Sequence, residues 1–473
     1  MPTTKPVFLL PVLLLACGAP AEPPPVAGPD TEVADPTDDC VPSAEVCDGI
    51  DNDCDGLVDN DPEDGVASFP DADGDGFGAA DGEVVTCDAI EGFVREGGDC
   101  DDARADINPA AVELCDGIDN DCDATTSEAG TATLLTETGP EDRTGALTGT
   151  PEEPARVELT TPGTLQICEG VWFAHLDLQA DVDVVGIAGS EDTVLDGSRL
   201  GTVIAITDVD ATLRGLTLRN GDGGESCGGA VCMDGGALDG SDVVMVDNVA
   251  QSGGAMRVDE GTVTLSDVEL SDNEATGTGG ALFVSASTLS LVDATLRRNS
   301  ANRGGAVDAR SSSLTLDRVD VEDSTATQAA GAFQLSSGTL LLRDSRIVGS
   351  VADNEGGAMR ASGAIDLRLE NSVLEGNTSR LGPAIMFRGS PDAVLTCQGA
   401  VGATSGIFGN VATGEQTGAI HLTNGTFVAE DCDLVDPVTG TDNAPTDLRL
   451  GGQQVDTFGE DTNVICTLEG CSP

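Results

Sequence analysis

From Ala230 onward the chain repeats a short motif, Gly-Gly-Ala or Gly-Ala, at an almost constant interval. The motif alanines fall at 230, 255, 281, 306, 332, 358, 384 and 419, in steps of 25, 26, 25, 26, 26, 26 and 35 residues. A unit this short cannot bury a core by itself and must stack on its copies. Within each unit, apolar and polar residues alternate and Val, Leu and Thr predominate, as in "GTVTLSDVELSDN", "STLSLVDATLRRN" and "SSLTLDRVDVEDS". That period of two is strand, not helix. Apolar residues recur 8, 10, 13 and 15 positions after the motif alanine, which in the second repeat are Val263, Leu265, Val268 and Leu270. Two short strands joined by a two-residue bend give this spacing, and a third strand begins at the motif. Coils stacked about 4.8 Å apart would pair every strand with its copies above and below. Asn248, Asn273, Asn299, Asn377 and Asn410 precede the glycines at nearly constant distance and predict a ladder of stacked turn amides.

The fold class expected is therefore all-β, a parallel solenoid over residues 150–460. The register also predicts a covalent bond. Cys397 and Cys432 each lie thirteen residues after a motif alanine, in the inward column of Val268 and Val319 and one coil apart. That spacing is within disulfide reach. Cys227–Cys232 and Cys466–Cys471 read as local staples, the latter in a C-terminal cap over 461–473. The repeats resemble those of polymorphic outer-membrane proteins, and the whole region resembles the right-handed parallel β-helix of pectate-lyase-like proteins. "VDVVGIAGSEDTVLDG" and "ATLRGLTLRNGDGG" are similar to the early coils of such helices. The resemblance implies an architecture and no particular activity.

A second pattern precedes the repeats. The nonapeptide "CDGIDNDCD" occurs at Cys47–Asp55 and again at Cys115–Asp123. Residues 40–125 hold 26 acidic residues and only two basic ones, Arg95 and Arg104. Folding such a segment compactly sets carboxylates against one another unless cations intervene. Asp51, Asp53, Asp55 and Asp59, with Gly56 between, have the spacing that aims alternate side chains at one point. Asp71, Asp73 and Asp75 repeat it in "DADGDGFG", and Asp119, Asp121 and Asp123 repeat it without the glycine. Ca²⁺ takes ~6–8 oxygen ligands and suits such loops. Neither full loop is an EF-hand, because position twelve is Pro62 in one and Gly82 in the other, where that motif needs Glu. The competing reading is a set of Asx turns in which each aspartate caps its own backbone.

"EVCDGIDNDCDG", "DADGDGFG", "GGDCDD" and "INPAAVELCDGIDNDCD", in that order, resemble the metal-binding repeat of bacterial surface proteins related to the copper-binding protein MopE. The resemblance implies an exported, disulfide-bonded, metal-dependent module over 40–125, followed by a linker at 126–149. Copper needs soft or imidazole ligands and the module has no His, so calcium is the cofactor expected. Cysteine pairs Cys47–Cys54, Cys115–Cys122 and Cys87–Cys100 are one hypothesis, with Cys40 and Cys168 left over. Spacing alone does not fix connectivity.

The N-terminus "MPTTKPVFLLPVLLLACGAP" reads as an export signal over 1–17, too short to span a bilayer. Leu14-Leu15-Ala16-Cys17 resembles a lipobox, which makes Cys17 the lipid anchor and implies an outer-membrane or cell-surface location. Secretion is the alternative. A Pro- and acid-rich tether follows over 18–39. Without Cys17, 14 cysteines remain, an even number that suits an oxidising compartment.

The chain carries 84 acidic and 21 basic residues, a net charge of −63. That excludes nucleic acid as a partner. On the strand opening each coil, Met256 and Val258 point inward. Two outward columns follow. One is Arg257, Phe283, Asp308, Gln334, Arg360, Met386 and His421, and the other is Asp259, Ser285, Arg310, Ser336, Ser362, Arg388 and Thr423. Arg257, Arg310, Arg360 and Arg388 would suit an acidic polysaccharide or an acidic surface protein, unless they only offset nearby acids. An adhesive or matrix-contacting role follows. Polysaccharide lyase or hydrolase chemistry is the rival, with Asp308 and Arg310 as first suspects. It lacks a convergent acid cluster and an aromatic platform, since Tyr is absent and Trp172 is the single Trp. No catalytic residue is assigned. No aromatic-rich barrel follows the repeats, so an autotransporter passenger is not expected.

Overall fold

A computed structural model describes residues 41–124, 130–399, 406–414, 418–433, 443, 448–450, 453–455, 464–467 and 470–472. Cys17, the tether and Cys40 lie outside the described residues. The chain forms two compact units, one of residues 41–68 with Glu83–Glu91, the other of Phe69–Gly82 with everything from Gly92 onward. In the first, Val66 faces Thr86 and Ser68 faces Val84 across an antiparallel pair, and Cys47 is bonded to Cys87.

The second unit starts with a small ribbon. Strand Phe77–Ala79 runs parallel to Glu96–Asp99. The Phe69 ring lies so close to Gly97 that an added Cβ would come within 2.8 Å of it. A β-solenoid of about ten coils follows. Its first coil is Ala155–Leu159, Gly163–Ile167 and Gly170–Trp172, and each strand pairs in parallel with its counterpart in the next coil. The expected columns are present. Leu265, Leu291, Leu316, Leu342 and Leu369 stack in one line through the parallel registers and are all fully buried. Each contributes about 2 kcal/mol of burial.

The repeated motif is a tight corner. Gly304 has φ +62°, a left-handed turn that glycine takes without strain. At Gly305 an added Cβ would lie 2.1 Å from the carbonyl oxygen of Gly331 in the next coil. Ala306 is fully buried. Each position of Gly-Gly-Ala thus answers a different demand. The amide ladder is also present. Asn248 donates its backbone N–H and its Nδ2 to Asn273 Oδ1, both at 3.1 Å, and Asn273 does the same to Asn299 Oδ1 at 3.0 and 3.1 Å. Ser324 and Ser350 take the two middle rungs, fully buried, before Asn377, Asn410 and Asn443 resume the ladder.

The stretch expected as a linker at 126–149 is structured where it is described. Ala132–Thr136 and Gly139–Asp142 form a hairpin whose first strand pairs antiparallel with Gly163–Ile167 of the first coil. Leu134 and Leu147 of this stretch are fully buried.

Three cysteine pairings correct the sequence hypothesis. The bonds are Cys47–Cys87, Cys100–Cys122 and Cys115–Cys168, not Cys47–Cys54, Cys87–Cys100 and Cys115–Cys122. Cys54 is also disulfide-bonded. Within each nonapeptide the second cysteine sits in a left-handed conformation, Cys54 at φ +63° and Cys122 at +56°. Cys227–Cys232, Cys397–Cys432 and Cys466–Cys471 are bonded as expected. The register behind the second of these needs correction, because Cys397 stands opposite Leu369, in the column of Leu265 rather than Val268. Asp433 bridges to Gly406, which pairs with Val373, and this places Cys432 on the Val268 column. The bond therefore crosses the bend between two columns.

His175 on strand Ala174–Leu178 is 6% exposed, and its Nδ1 lies 2.6 Å from the carbonyl oxygen of Thr202. Burial pushes its pKa below the ordinary histidine value, more than the Thr202 carbonyl raises it. His421 is shifted the same way, again mainly by burial. The unfolded chain then takes up the proton first, so stability should fall as pH drops through about 6.5. The expected slope is up to about 1.4 kcal/mol per pH unit for each histidine. Urea titrations from pH 7.5 downward should show this loss flattened in His175→Gln, and an unchanged slope would refute the assignment.

Candidate metal centre and cationic cleft

In the first unit, Glu45 organises the loop that carries the first nonapeptide. It is 4% exposed; its Oε2 accepts the N–H groups of Asn52 and Asp53 at 2.9 and 3.0 Å, and its Oε1 accepts that of Asp59 at 2.7 Å. Asn52 Oδ1 accepts the Val46 N–H in return. This cross-bracing folds the loop over itself. It brings one carboxylate oxygen each from Glu45, Asp51 and Asp53 within 4.8 Å of one another.

The second copy, in the other unit, is built the same way. Glu113 Oε2 accepts the N–H groups of Asn120 and Asp121 at 3.1 and 3.2 Å, and Asn120 Oδ1 accepts the Leu114 N–H at 3.0 Å. Glu113, Asp119 and Asp121 converge. The glutamate is 8% exposed and its Oε1 is buried without a hydrogen-bond partner. Burial pushes its carboxyl above the ordinary range, and the neighbouring Asp121 and Asp119 charges add to that. This loop is tied to the solenoid by Cys115–Cys168 and by the Thr133 hydroxyl, which donates to the Glu113 carbonyl at 3.0 Å.

Between the two copies in sequence, "DADGDGFG" makes a turn through Gly74 and Gly76, at φ +84° and +101°. Asp71, Asp73 and Asp102 form one group, and Asp73, Asp75 and Asp99 another. The pairing of Phe77–Ala79 with Glu96–Asp99 carries Asp99 to this turn. Asp102 Oδ1 fixes the other side by accepting the Ala72 N–H at 2.9 Å.

Of the aspartates expected from sequence, Asp51, Asp53, Asp71, Asp73, Asp75, Asp119 and Asp121 lie in these groups. Asp55, Asp59 and Asp123 do not. Asp55 is an Asx-turn residue, accepting the Leu57 N–H at 2.8 Å, and Asp59 Oδ1 holds the Asp48 and Gly49 N–H groups. Glu45, Glu113, Asp99 and Asp102 were missed, although the glutamate two residues before each nonapeptide is itself duplicated. All four groups offer carboxylate oxygens alone. Such donors suit a hard cation, and the cysteines nearby are held in disulfides rather than available as thiolates.

On the solenoid the two outward columns stack as expected, except that a bulge places Asn424 rather than Thr423 beside Arg388. Their exposure differs from expectation, since Phe283, Asp308, Gln334 and Met386 are all buried. The guanidinium carbons of Arg257 and Arg310 sit 5.2 and 4.8 Å from the Phe283 ring centre and roof that column. All four arginines singled out from sequence are ion-paired. Arg257 is with Asp259, Arg310 with Asp308, and both Arg360 and Arg388 are with Glu355. Beside the last pair opens a cleft of about 330 Å³ lined by Arg303, Gln328, Asn354, Glu355, Arg360 and Arg380. Among the described residues the Arg303 side chain hydrogen-bonds only Gln328, at 3.1 Å, and neither it nor Arg380 makes a salt bridge.

Residues 42–60 and 99–128 match the family model "Cu-binding_MopE: Putative metal-binding motif". These segments contain the two glutamate-braced loops and stop short of the Asp71–Asp75 turn. Neither a curated protein nor a solved structure matches the chain.

Proposed function

We propose that this is a calcium-stabilised protein of the cell surface whose β-helix binds acidic polysaccharide in an adhesive or matrix-contacting role. Export through residues 1–17 and lipid anchoring at Cys17, in the outer membrane or at the cell surface, belong to the same reading. Calcium is favoured over copper by all-oxygen donor groups with no imidazole or thiolate among them.

The observation that carries the binding role is the cleft. In a chain of net charge −63, it gathers Arg303, Arg360 and Arg380 around one carboxylate that Arg360 and Arg388 already neutralise. Gln328 and Asn354 add amide donors for hydroxyl or carboxylate oxygens. Guanidinium groups recognise planar carboxylates through paired N–H donors, which suits a uronate. Binding is favoured over cleavage because Asp308, the first suspect for acid–base chemistry, is 1% exposed and locked to Arg310 at 2.9 Å.

The test uses the exported chain without Cys17, co-sedimented with acidic and neutral polysaccharides in calcium or chelator. Retention on acidic polymers of unchanged length is expected, weakened about tenfold or more in Arg303→Ala/Arg380→Ala, since charge-assisted hydrogen bonds contribute about 1.5–3 kcal/mol each. Shortened polymer would replace adhesion by catalysis, and equal retention by the double variant would remove the cleft from the argument.

A further inference from the structure

The spacing of Asp71, Asp73 and Asp75 marks one loop, but its geometry gives Asp73 to two groups at once. Asp71, Asp73 and Asp102 meet on one side, and Asp73, Asp75 and Asp99 on the other, with the oxygens of each trio within 4.8 Å of one another. Two oxygens that each lie ~2.4 Å from one Ca²⁺ are at most ~4.8 Å apart, so each trio is compact enough to share an ion. Three of these five carboxylates, Asp71, Asp73 and Asp75, fall outside the segments that match the metal-binding family.

Two buried oxygens of the cluster also lack donors. Asp99 is 2% exposed; its Oδ1 accepts the Asp101 N–H at 2.8 Å, while its Oδ2 is buried with no hydrogen-bond partner. Asp73 repeats the arrangement, with Oδ1 accepting the Asp75 N–H at 3.2 Å and Oδ2 buried and unpartnered. A carboxylate oxygen withdrawn from water without a donor is costly, and both oxygens belong to side chains that face the same cluster. Asp71 and Asp75 are braced from behind. Asp71 accepts the Gly74 N–H at 2.7 Å, and Asp75 accepts Phe77 N–H and Asn108 Nδ2, each at 2.8 Å. Among the described residues no salt bridge reaches any of the five. A single divalent ion would leave a formal charge of −3 in this space, and two would leave −1.

We propose that Asp73 bridges two divalent cations, one held with Asp71 and Asp102 and the other with Asp75 and Asp99. The centre fastens the "DADGDGFG" turn to the "GGDCDD" segment from both sides, and each ion completes its shell with backbone carbonyls and water. This rests on the calcium reading above and adds to it a stoichiometry of four ions from the four carboxylate groups among the described residues.

The test counts calcium bound to the full oxidised chain by equilibrium dialysis at physiological ionic strength. Wild type should hold four ions, Asp71→Asn three, Asp99→Asn three, and Asp73→Asn two. Near-UV circular dichroism and intact disulfides check that each variant is folded. Should Asp73→Asn fail to fold, Asp102→Asn and Asp75→Asn carry the test. Each should lose one ion, and their double variant two. Loss of only one ion in folded Asp73→Asn, whatever the wild-type total, would overturn the bridge alone. No bound calcium in wild type would overturn the bridge together with the calcium reading.

Discussion

Replacing Gly305 with alanine is expected to destabilise the solenoid by more than about 4 kcal/mol, enough to remove most folded protein from the soluble fraction. The new Cβ would sit 2.1 Å from the Gly331 carbonyl oxygen and 2.4 Å from that of Thr325. Both atoms are backbone of the adjoining coil, so no side chain can swing away. Relief requires opening the ~4.8 Å coil spacing, which stretches the parallel hydrogen bonds on every side of the corner. The same holds at Gly280, where the clash with the Gly305 oxygen would be at 2.0 Å. Gly145→Ala is the control, because nothing lies within 4 Å of the added atom there. It should be neutral or stabilising by up to about 1 kcal/mol. Urea midpoints of the oxidised chain would read both effects, and a Gly305→Ala midpoint within error of wild type would refute the account.

Asn273→Ala is expected to cost about 3–5 kcal/mol, far more than the area of one amide suggests. The side chain donates to the Met245 carbonyl at 2.9 Å and to Asn299 Oδ1 at 3.1 Å, and its own Oδ1 receives the backbone N–H of Asn248. Asn248, Asn273 and Asn299 are all fully buried. Alanine would strand the Asn248 N–H away from water, at about 1–3 kcal/mol, and delete the bonds to the Met245 C=O, to Asn299 Oδ1 and from Asn248 Nδ2, at about 0.5–1.5 kcal/mol each. Glu274→Ala next door, at an exposed position, should shift stability by less than about 0.5 kcal/mol. A loss at Asn273 no larger than that at Glu274 would show the ladder to be incidental.

The solenoid was legible because its determinants are local and repeated. The glycine corner, the Leu265 column and the Asn248–Asn273–Asn299 ladder each recur at one interval, so one correct phase fixes them all. The Val268-column position of Cys397 was misread because the chain between Ala384 and Ala419 is longer than one repeat, and counting from the motif alanine no longer tracks the strand register. The metal loops were half legible. Alternating aspartates mark where oxygens converge along the chain, and they found Asp71, Asp73 and Asp75. Asp99 and Asp102 arrive from ~25 residues away through the pairing of Phe77–Ala79 with Glu96–Asp99, which short-range spacing cannot reveal. Glu45 and Glu113 stand in both copies but were assigned no role, since a brace and a bystander look alike in sequence. The cystines failed for a related reason. The bonds of Cys47, Cys100 and Cys115 close over 40, 22 and 53 residues, and the seven-residue spacing inside a nonapeptide carries no trace of those distant partners.

The antiparallel hairpins at the two ends bear on how many copies of this molecule can exist as separate particles. A parallel solenoid that simply stopped would show a row of unpaired N–H and C=O groups at each terminus, a template for head-to-tail fibres. Here Ala132–Thr136 reverses direction against the first coil, and its own partner strand carries Pro140, Glu141 and Asp142. Near the other end, Val464–Thr467 turns back against Thr426–Glu430. Proline withholds a donor and the paired acids repel an identical edge. An identical edge would meet a strand that withholds one donor and repels it, which disfavours head-to-tail stacking in register at these two strands.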